Sequence, residues 1–223
     1  MYCQNGKIDG VDMIAGIDEA GKGPVIGPLV ICGVLCDEET VEYLKSVGVK
    51  DSKKLDRRKR EELYNIIKSL CKVKVLKISV EDLNRLMEYM SINEILKRAY
   101  VEIIRSLMPK VVYIDCPDIN VERFKHEIEE RTGVEVFASH KADEIYPIVS
   151  IASIVAKVER DFEIDKLKKI YGDFGSGYPS DLRTIEFLRS YLREHKSFPP
   201  IVRKRWKTLK RLTTHTLSDF FEV

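Results

Sequence analysis

Short apolar runs that stop abruptly, separated by stretches of helical spacing, constrain this chain most. Met13 to Ile17 reads as a strand, broken by Gly21-Lys22-Gly23-Pro24. Val25 to Leu35 reads as a long buried strand with Pro28 marking a bulge. Leu63, Ile66, Ile67 and Leu70 fall at helical spacing behind Asp56, an N-cap residue, and predict a helix over Asp56–Leu70. Val73 to Ile78 alternates apolar and basic residues, as a half-exposed strand does. Ser91-Ile92-Asn93-Glu94 is a capping box opening a helix to about Met108. Val111 to Ile114 is a strand ending at Asp115, followed by a helix over Val121–Arg131 and a strand over Val134–Phe137. Pro147 opens a long helix to about Lys169, Gly172 to Pro179 is a loop, and Asp181 to Leu212 is helical and basic. A strand–turn–strand opening followed by alternating strands and helices predicts an α/β fold with a mixed sheet.

The 223 residues are enough to bury a core without staples. No stretch approaches 18 uncharged apolar residues, so no membrane partner is expected. Met1 to Gly10 is polar, without the apolar region of a secretory leader. The five cysteines are scattered without a C-x-x-C pair, and both Cys32 and Cys36 lie in an apolar run. They read as core thiols of a reducing cytoplasm rather than a disulfide framework or a zinc knuckle. A single glutamine beside abundant Glu, Lys and Arg leans towards a heat-adapted source.

Carboxylates fall in three unusual places. Asp18-Glu19 follows an apolar strand and precedes glycines, Asp115 ends an apolar strand, and Asp143 lies just ahead of the Pro147 helix. Acids beside buried runs are costly unless compensated, and strand ends of α/β sheets are where ligand sites collect. Were the three points to converge, their repulsion would raise the carboxyl pKa values, and a divalent cation would relieve it. Magnesium and manganese take such hard oxygen ligands. Two such ions about 4 Å apart activate a water and stabilise a leaving oxygen in phosphodiester hydrolysis. Taken singly, Asp115 or Asp143 reads more often as a turn or cap residue, and periodicity alone does not bring the three points together.

The glycine turn, Gly21-x-Gly23-x-x-x-Gly27, is neither G-x-G-x-x-G nor a Walker A sequence, and Pro24 stops a helix there. A dinucleotide or P-loop site is therefore a poor reading. Close backbone approach to a ligand and a simple tight turn both remain.

The motifs in series resemble ribonuclease HII of the archaeal type. The resemblance runs through Gly16-Ile-Asp-Glu-Ala-Gly-Lys-Gly-Pro-Val-Ile-Gly-Pro28, Asp51-Ser-Lys-Lys-Leu55, Tyr113-Ile-Asp115 and His140-Lys-Ala-Asp143. It continues through Ser150-Ile-Ala-Ser-Ile-Val-Ala-Lys157, Arg160-Asp161, Gly175-Ser-Gly-Tyr-Pro-Ser-Asp181 and Trp206-Lys-Thr-Leu209. It implies a ribonuclease H-like mixed β-sheet flanked by helices, with a helical C-terminal part. It implies cleavage of RNA in RNA–DNA duplexes and at single ribonucleotides embedded in DNA. The cut falls 5′ to the ribonucleotide and leaves a 3′-hydroxyl and a 5′-phosphate. The family's metal-holding catalytic acids map onto Asp18, Glu19, Asp115 and Asp143, with two Mg²⁺ or Mn²⁺ ions expected. Its turn, usually Gly-Arg-Gly, is Gly21-Lys22-Gly23 here. The backbone of that turn reads the ribose 2′-hydroxyl, while Lys22 exchanges a two-donor fork for a point charge. Tyr178 matches the tyrosine that stacks under the deoxynucleotide beside the ribose, and Lys53 and Lys54 fall near the substrate backbone. Ser139 stands where an acid usually precedes His140, and hard-cation chemistry assigns His140 a supporting role rather than a ligand's. Read without the family, Tyr178 is a loop residue packed on Pro179.

Leu182 to Leu212 holds ten basic residues against two acids, a net charge of +8 within a chain of +2 overall. Such a surface supports phosphate contacts and salt-sensitive binding to an RNA–DNA hybrid or ribonucleotide-containing duplex DNA. The tail carries Leu217, then Phe220-Phe221, resembling the box by which replication proteins plug a sliding clamp. Thr214 stands where that box usually has Gln, and a tail docked on its own core is the other reading. The expected organisation is a catalytic region over 1–180, a basic helical region over 181–212 and a tail over 213–223, in a cytoplasmic protein. Two rivals stand beside the nuclease: another ribonuclease H-like nuclease such as a junction resolvase, and a non-catalytic clamp-associated hybrid-binding protein. The glycine turn and Tyr178 argue against the first, and the complete acidic set against the second.

Overall fold

The computed structural model describes residues 7, 8, 10–49 and 55–218, with side chains over 10–49 and 55–213. The elements begin with strands β1 (Lys7–Ile8), β2 (Val11–Asp12), β3 (Ile14–Ala20) and β4 (Leu29–Cys36). Helices α1 (Glu38–Ser46) and α2 (Arg57–Leu70), strand β5 (Lys72–Ile78), and helices α3 (Val80–Leu86) and α4 (Ile92–Leu107) follow. Next come β6 (Val111–Asp115), α5 (Val121–Thr132), β7 (Glu135–Ser139) and α6 (Ala142–Ile145). The long α7 (Pro147–Tyr171), α8 (Leu182–His195) and α9 (Lys207–Ser218) complete the chain.

The predicted starts hold where a side chain caps the backbone. Asp56 accepts the Lys59 N–H at 2.8 Å, and Ser91 accepts that of Glu94 at 3.2 Å. Sequence reasoning passed over α1, although Asp37 caps it by accepting the Thr40 N–H at 2.7 Å and Val41 and Leu44 are buried three residues apart. It also passed over α3, capped by Ser79.

Two expectations are corrected. The strand predicted over Val25–Leu35 begins only at Leu29. Gly27 has φ +90°, Pro28 has no N–H to give a ladder, and the N–H groups of Val25 and Ile26 bond instead to the Gly177 carbonyl. Asp181–Leu212 is not helical throughout, because α8 ends at Lys196 in a left-handed conformation and Pro199-Pro200 delays α9 until Lys207.

Internal contacts divide the chain into two compact units. The first comprises Met1–Ala20, Val30–Lys77 and Ser91–Arg160, the second Gly21–Leu29, Ile78–Met90 and Asp161–Val223. Among the described residues the first holds a five-stranded sheet in the order β5-β4-β3-β6-β7. β3 runs antiparallel to β4 and parallel to β6, and β6 parallel to β7, so the sheet is mixed. Every residue of β4 is buried, as a strand covered on both faces requires.

Two glycines identify the covers. A Cβ on Gly16 would lie 2.3 Å from the Ile148 carbonyl oxygen of α7, and one on Gly33 would lie 2.2 Å from Ile103 of α4. Gly33 pairs with Ile17, the neighbour of Gly16, so the two glycines face opposite sides of the sheet. α7 therefore covers one face and α4 the other. The second unit has its own core of Val25, Ile26, Phe174, Leu188, Val202 and Leu209, among others.

Candidate active site and glycine turn

In the first unit the sheet brings Asp18 and Asp115 together. β3 and β6 pair in parallel, with Gly16 opposite Tyr113 and Ile17 opposite Ile114, so one step further Asp18 stands beside Asp115 at the C-terminal strand ends. Both share the α7 face with Gly16. Asp18 is only 6% exposed. Burial pushes its carboxyl well above the ordinary 3.8, and the charges of Glu19 and Asp115 push the same way. Opposing this, Ser153 of α7 and the Glu19 N–H, at 2.7 Å, hydrogen-bond to it. Lys157 donates to Ser153 Oγ at 2.8 Å, so a short relay joins Lys157 to Asp18.

Asp143 reaches this neighbourhood through the backbone. Lys141 takes a left-handed conformation, φ 55°, that turns the chain from β7 into α6. The N–H of Ala142 then donates to Asp115 Oδ1 at 2.7 Å, and Asp143 follows in the first turn of α6. His140 is hydrogen-bonded through Nδ1 to the Cys116 carbonyl, 3.3 Å away.

Glu19 departs from the others because adjacent strand residues face opposite sides. Its carboxylate lies on the α4 face, where the Tyr100 hydroxyl donates to it. The same hydroxyl lies 3.3 Å from the Asp115 carbonyl oxygen. Burial, then the nearby Glu19 charge, pushes the Tyr100 phenol well above its ordinary value, so it serves as a donor and not as a base. Among the described residues no three His, Cys, Asp or Glu side chains stand close enough as arranged to cage an ion. The donor set is nevertheless of the hard-oxygen kind, and the charge that burial penalises at Asp18 is what a divalent cation would compensate.

Sequence reasoning missed Tyr100 and Ser153 as supports of these acids. Both carry a readable signal, a hydroxyl on an otherwise apolar helix face: Tyr100 among Leu96, Ile103 and Ile104, and Ser153 within Ile-Ala-Ser-Ile.

The second unit gathers the predicted turn residues. Gly21 has φ +92°, and Gly23 is exposed. Tyr178 is 40% exposed, with its ring edge 3.5 Å from where a Gly23 Cβ would lie. The turn is held from behind by the basic region. Arg203 is fully buried and donates to the carbonyls of Gly27 and Pro28 at 2.8 Å and of Lys22 at 3.3 Å. Trp206 donates through Nε1 to the Gly23 carbonyl at 2.9 Å, with the Arg203 guanidinium 4.8 Å from its ring centroid. Arg203 is one of the ten bases expected to face a duplex, and burial removes it from that role. Arg183 is exposed but ion-paired with Asp181 at 3.1 Å, and the other eight bases of the region are exposed. Lys53, Lys54, Phe220 and Phe221 lie outside the described residues, as does the Leu217 side chain.

The family model of ribonuclease HII matches residues 15–209. The chain belongs to the ribonuclease HII family. It is 54% identical over 208 residues to the ribonuclease HII of Archaeoglobus fulgidus, covering 93% of this chain and all of that one. A solved PCNA:RNase HII complex from the same organism superposes with a TM-score of 0.83 at 54% identity, covering 87% of this chain and 95% of that one. The ribonuclease H2 of Pyrococcus horikoshii gives 0.84 at 44% identity, over 91% and 98% of the two chains. The mixed sheet flanked by helices is thus the ribonuclease H-like fold, and the chain is a type 2 ribonuclease H enzyme. Among the described residues no helix is long and apolar enough to cross a membrane.

Without metal, between pH 3.8 and the raised Asp18 value, the folded chain keeps a proton the unfolded chain releases, so this group's contribution to stability falls as pH rises through that window. Asp18→Asn therefore raises the melting temperature of the metal-free chain at neutral pH and flattens this pH dependence, as calorimetry will read. Tyr100→Phe removes the hydroxyl that anchors Glu19 and, were Glu19 to hold a cation, would weaken Mn²⁺ binding by about 10–100-fold, measured by titration calorimetry.

Proposed function

We propose that the chain cleaves RNA in RNA–DNA duplexes and single ribonucleotides embedded in DNA, cutting 5′ to the ribonucleotide. The products carry a 3′-hydroxyl and a 5′-phosphate. The observation that carries the reading is that buried Asp18 stands beside Asp115, one step beyond the paired Ile17 and Ile114, near Glu19 and α6. Asp18, Glu19, Asp115 and Asp143 would hold two Mg²⁺ or Mn²⁺ ions. When bound, such ions supply Lewis-acid polarisation of the phosphate and a water acidic enough to attack at neutral pH.

The chain's own residues do the rest. Ser153 and the Glu19 N–H fix one edge of Asp18, the Ala142 N–H fixes Asp115, and the Tyr100 hydroxyl fixes Glu19. Carboxylates fixed before substrate arrives need not be ordered during the reaction. Gly21, Lys22 and Gly23 read the ribose 2′-hydroxyl through their backbone, and Tyr178, exposed beside Gly23, stacks on the neighbouring deoxynucleotide. Arg203 and Trp206 occupy the turn's carbonyls from within the protein. Lys53 and Lys54 and the exposed bases of α8 and α9 meet phosphates. The enzyme works in the cytoplasm.

Incubation with duplex DNA carrying one ribonucleotide tests the activity. A nick 5′ to the ribose in Mg²⁺ or Mn²⁺, abolished by EDTA, is expected, and its absence in both metals overturns the reading. Asp115→Asn loses more than about 100-fold in cleavage, since even outer partners of metal ligands are worth about 10–100-fold, while duplex binding persists.

The tail supplies a partner. A relative 54% identical over most of its length is known in complex with PCNA, and Leu217, Phe220 and Phe221 follow the spacing of a clamp plug. We assign these residues to a sliding clamp. Deleting residues 213–223 should abolish clamp binding and leave the nick rate on short duplexes unchanged. Unchanged clamp affinity would sink the assignment.

A further inference from the structure

Two thiols outside the site meet at the far edge of the sheet. Cys36 is the last residue of β4, and Cys71 stands immediately before β5. β4 and β5 are hydrogen-bonded neighbours. Neighbouring strands run about 5 Å apart, within the Cα separation of about 4.4–6.8 Å that a disulfide spans. The Cys36 and Cys71 side chains are hydrogen-bonded to each other, and both are free thiols in this structure. Cys36 is 1% exposed and Cys71 is half-buried.

We propose that Cys36 and Cys71 are an oxidation site, closed to a disulfide by exchange with a low-molecular-weight disulfide. Cys71, reachable from solvent, attacks one sulfur of the small disulfide as its thiolate and releases one small thiolate. Cys36, deprotonated in turn, attacks the Cys71 sulfur of the mixed disulfide and releases the second. The two protein thiols give up two electrons and two protons, and the small disulfide becomes two thiols. The order is set by the surroundings: contact with Cys71, then burial, holds the Cys36 thiol far above its ordinary 9.0, so Cys36 is not the first attacker.

The other cysteines among the described residues compete poorly. Cys32 lies four residues back along β4, about 13 Å away, paired with Asp18. Cys116 follows β6, two strands away from β4, and its thiol is 3.5 Å from the Asp118 carbonyl oxygen. The Cys36–Cys71 bond would close residues 37–70 into a ring containing α1, α2 and Lys53-Lys54. A ring of that size restricts the unfolded chain far more than the folded one, in which the two ends already touch. Intracellular disulfides are an established device of heat-adapted archaea, and the composition leans the same way.

The test uses the full chain, reduced and then incubated with oxidised glutathione, blocked with iodoacetamide under denaturing conditions and digested. Mass spectrometry should find the Cys36 and Cys71 peptides joined and lighter by two hydrogens. The oxidised protein should melt roughly 5–15 °C higher, reversed by dithiothreitol. Cys71→Ser, a change at a half-buried position, should fold and show no such rise, and Cys36→Ala should trap glutathione on Cys71. Separate alkylated peptides after oxidation, a bond to a different cysteine, or an equal rise in Cys71→Ser overturns the proposal.

Discussion

Everything in the first unit is arranged around the parallel pairing of β3 with β6. That pairing sets two carboxylates side by side at strand ends, where each would destabilise the other. It survives because neighbouring elements contribute donors to the same spot. α7 approaches so closely that only glycine fits at position 16, and this closeness brings Ser153 within reach of Asp18. The turn into α6 contributes a backbone N–H to Asp115. The fold thus places carboxyls in a nearly dry site, where burial and repulsion favour the protonated form of Asp18 until a cation compensates the charge.

The Asp18-Glu19 pair shows how strand geometry divides labour between adjacent residues. Alternation sends Asp18 towards α7 and Glu19 towards α4. The two acids are therefore held by different helices, one through a serine and the other through a tyrosine. A single change in either helix would disturb one acid and spare its neighbour.

Much of this was legible in the residues. Strand ends at Asp18-Glu19 and Asp115 stood out because charge stops an apolar run, and helix starts at Asp56 and Ser91 stood out because caps are local chemistry. The mixed character of the sheet followed from the strand–turn–strand opening. What could not be read was long-range. Val25-Ile26-Gly27 has the composition of a strand, yet its N–H groups bond to the Gly177 and Ile201 carbonyls, more than 150 residues away. Arg203 looked like one base among ten, and only the structure shows it buried against three carbonyls. Tyr100 and Ser153 were hidden inside apolar helical faces, where a hydroxyl announces itself only once its partner is known.

The buried guanidinium of Arg203 also sets an order in time. It grips carbonyls at residues 22, 27 and 28 from about 175 residues downstream. During synthesis at about 5–20 residues per second, the glycine turn must wait for Arg203 to leave the ribosome before it can be locked. The carboxylate strands belong to a unit complete by Arg160. A nascent chain can therefore set Asp18 beside Asp115 well before it can lock the glycine turn.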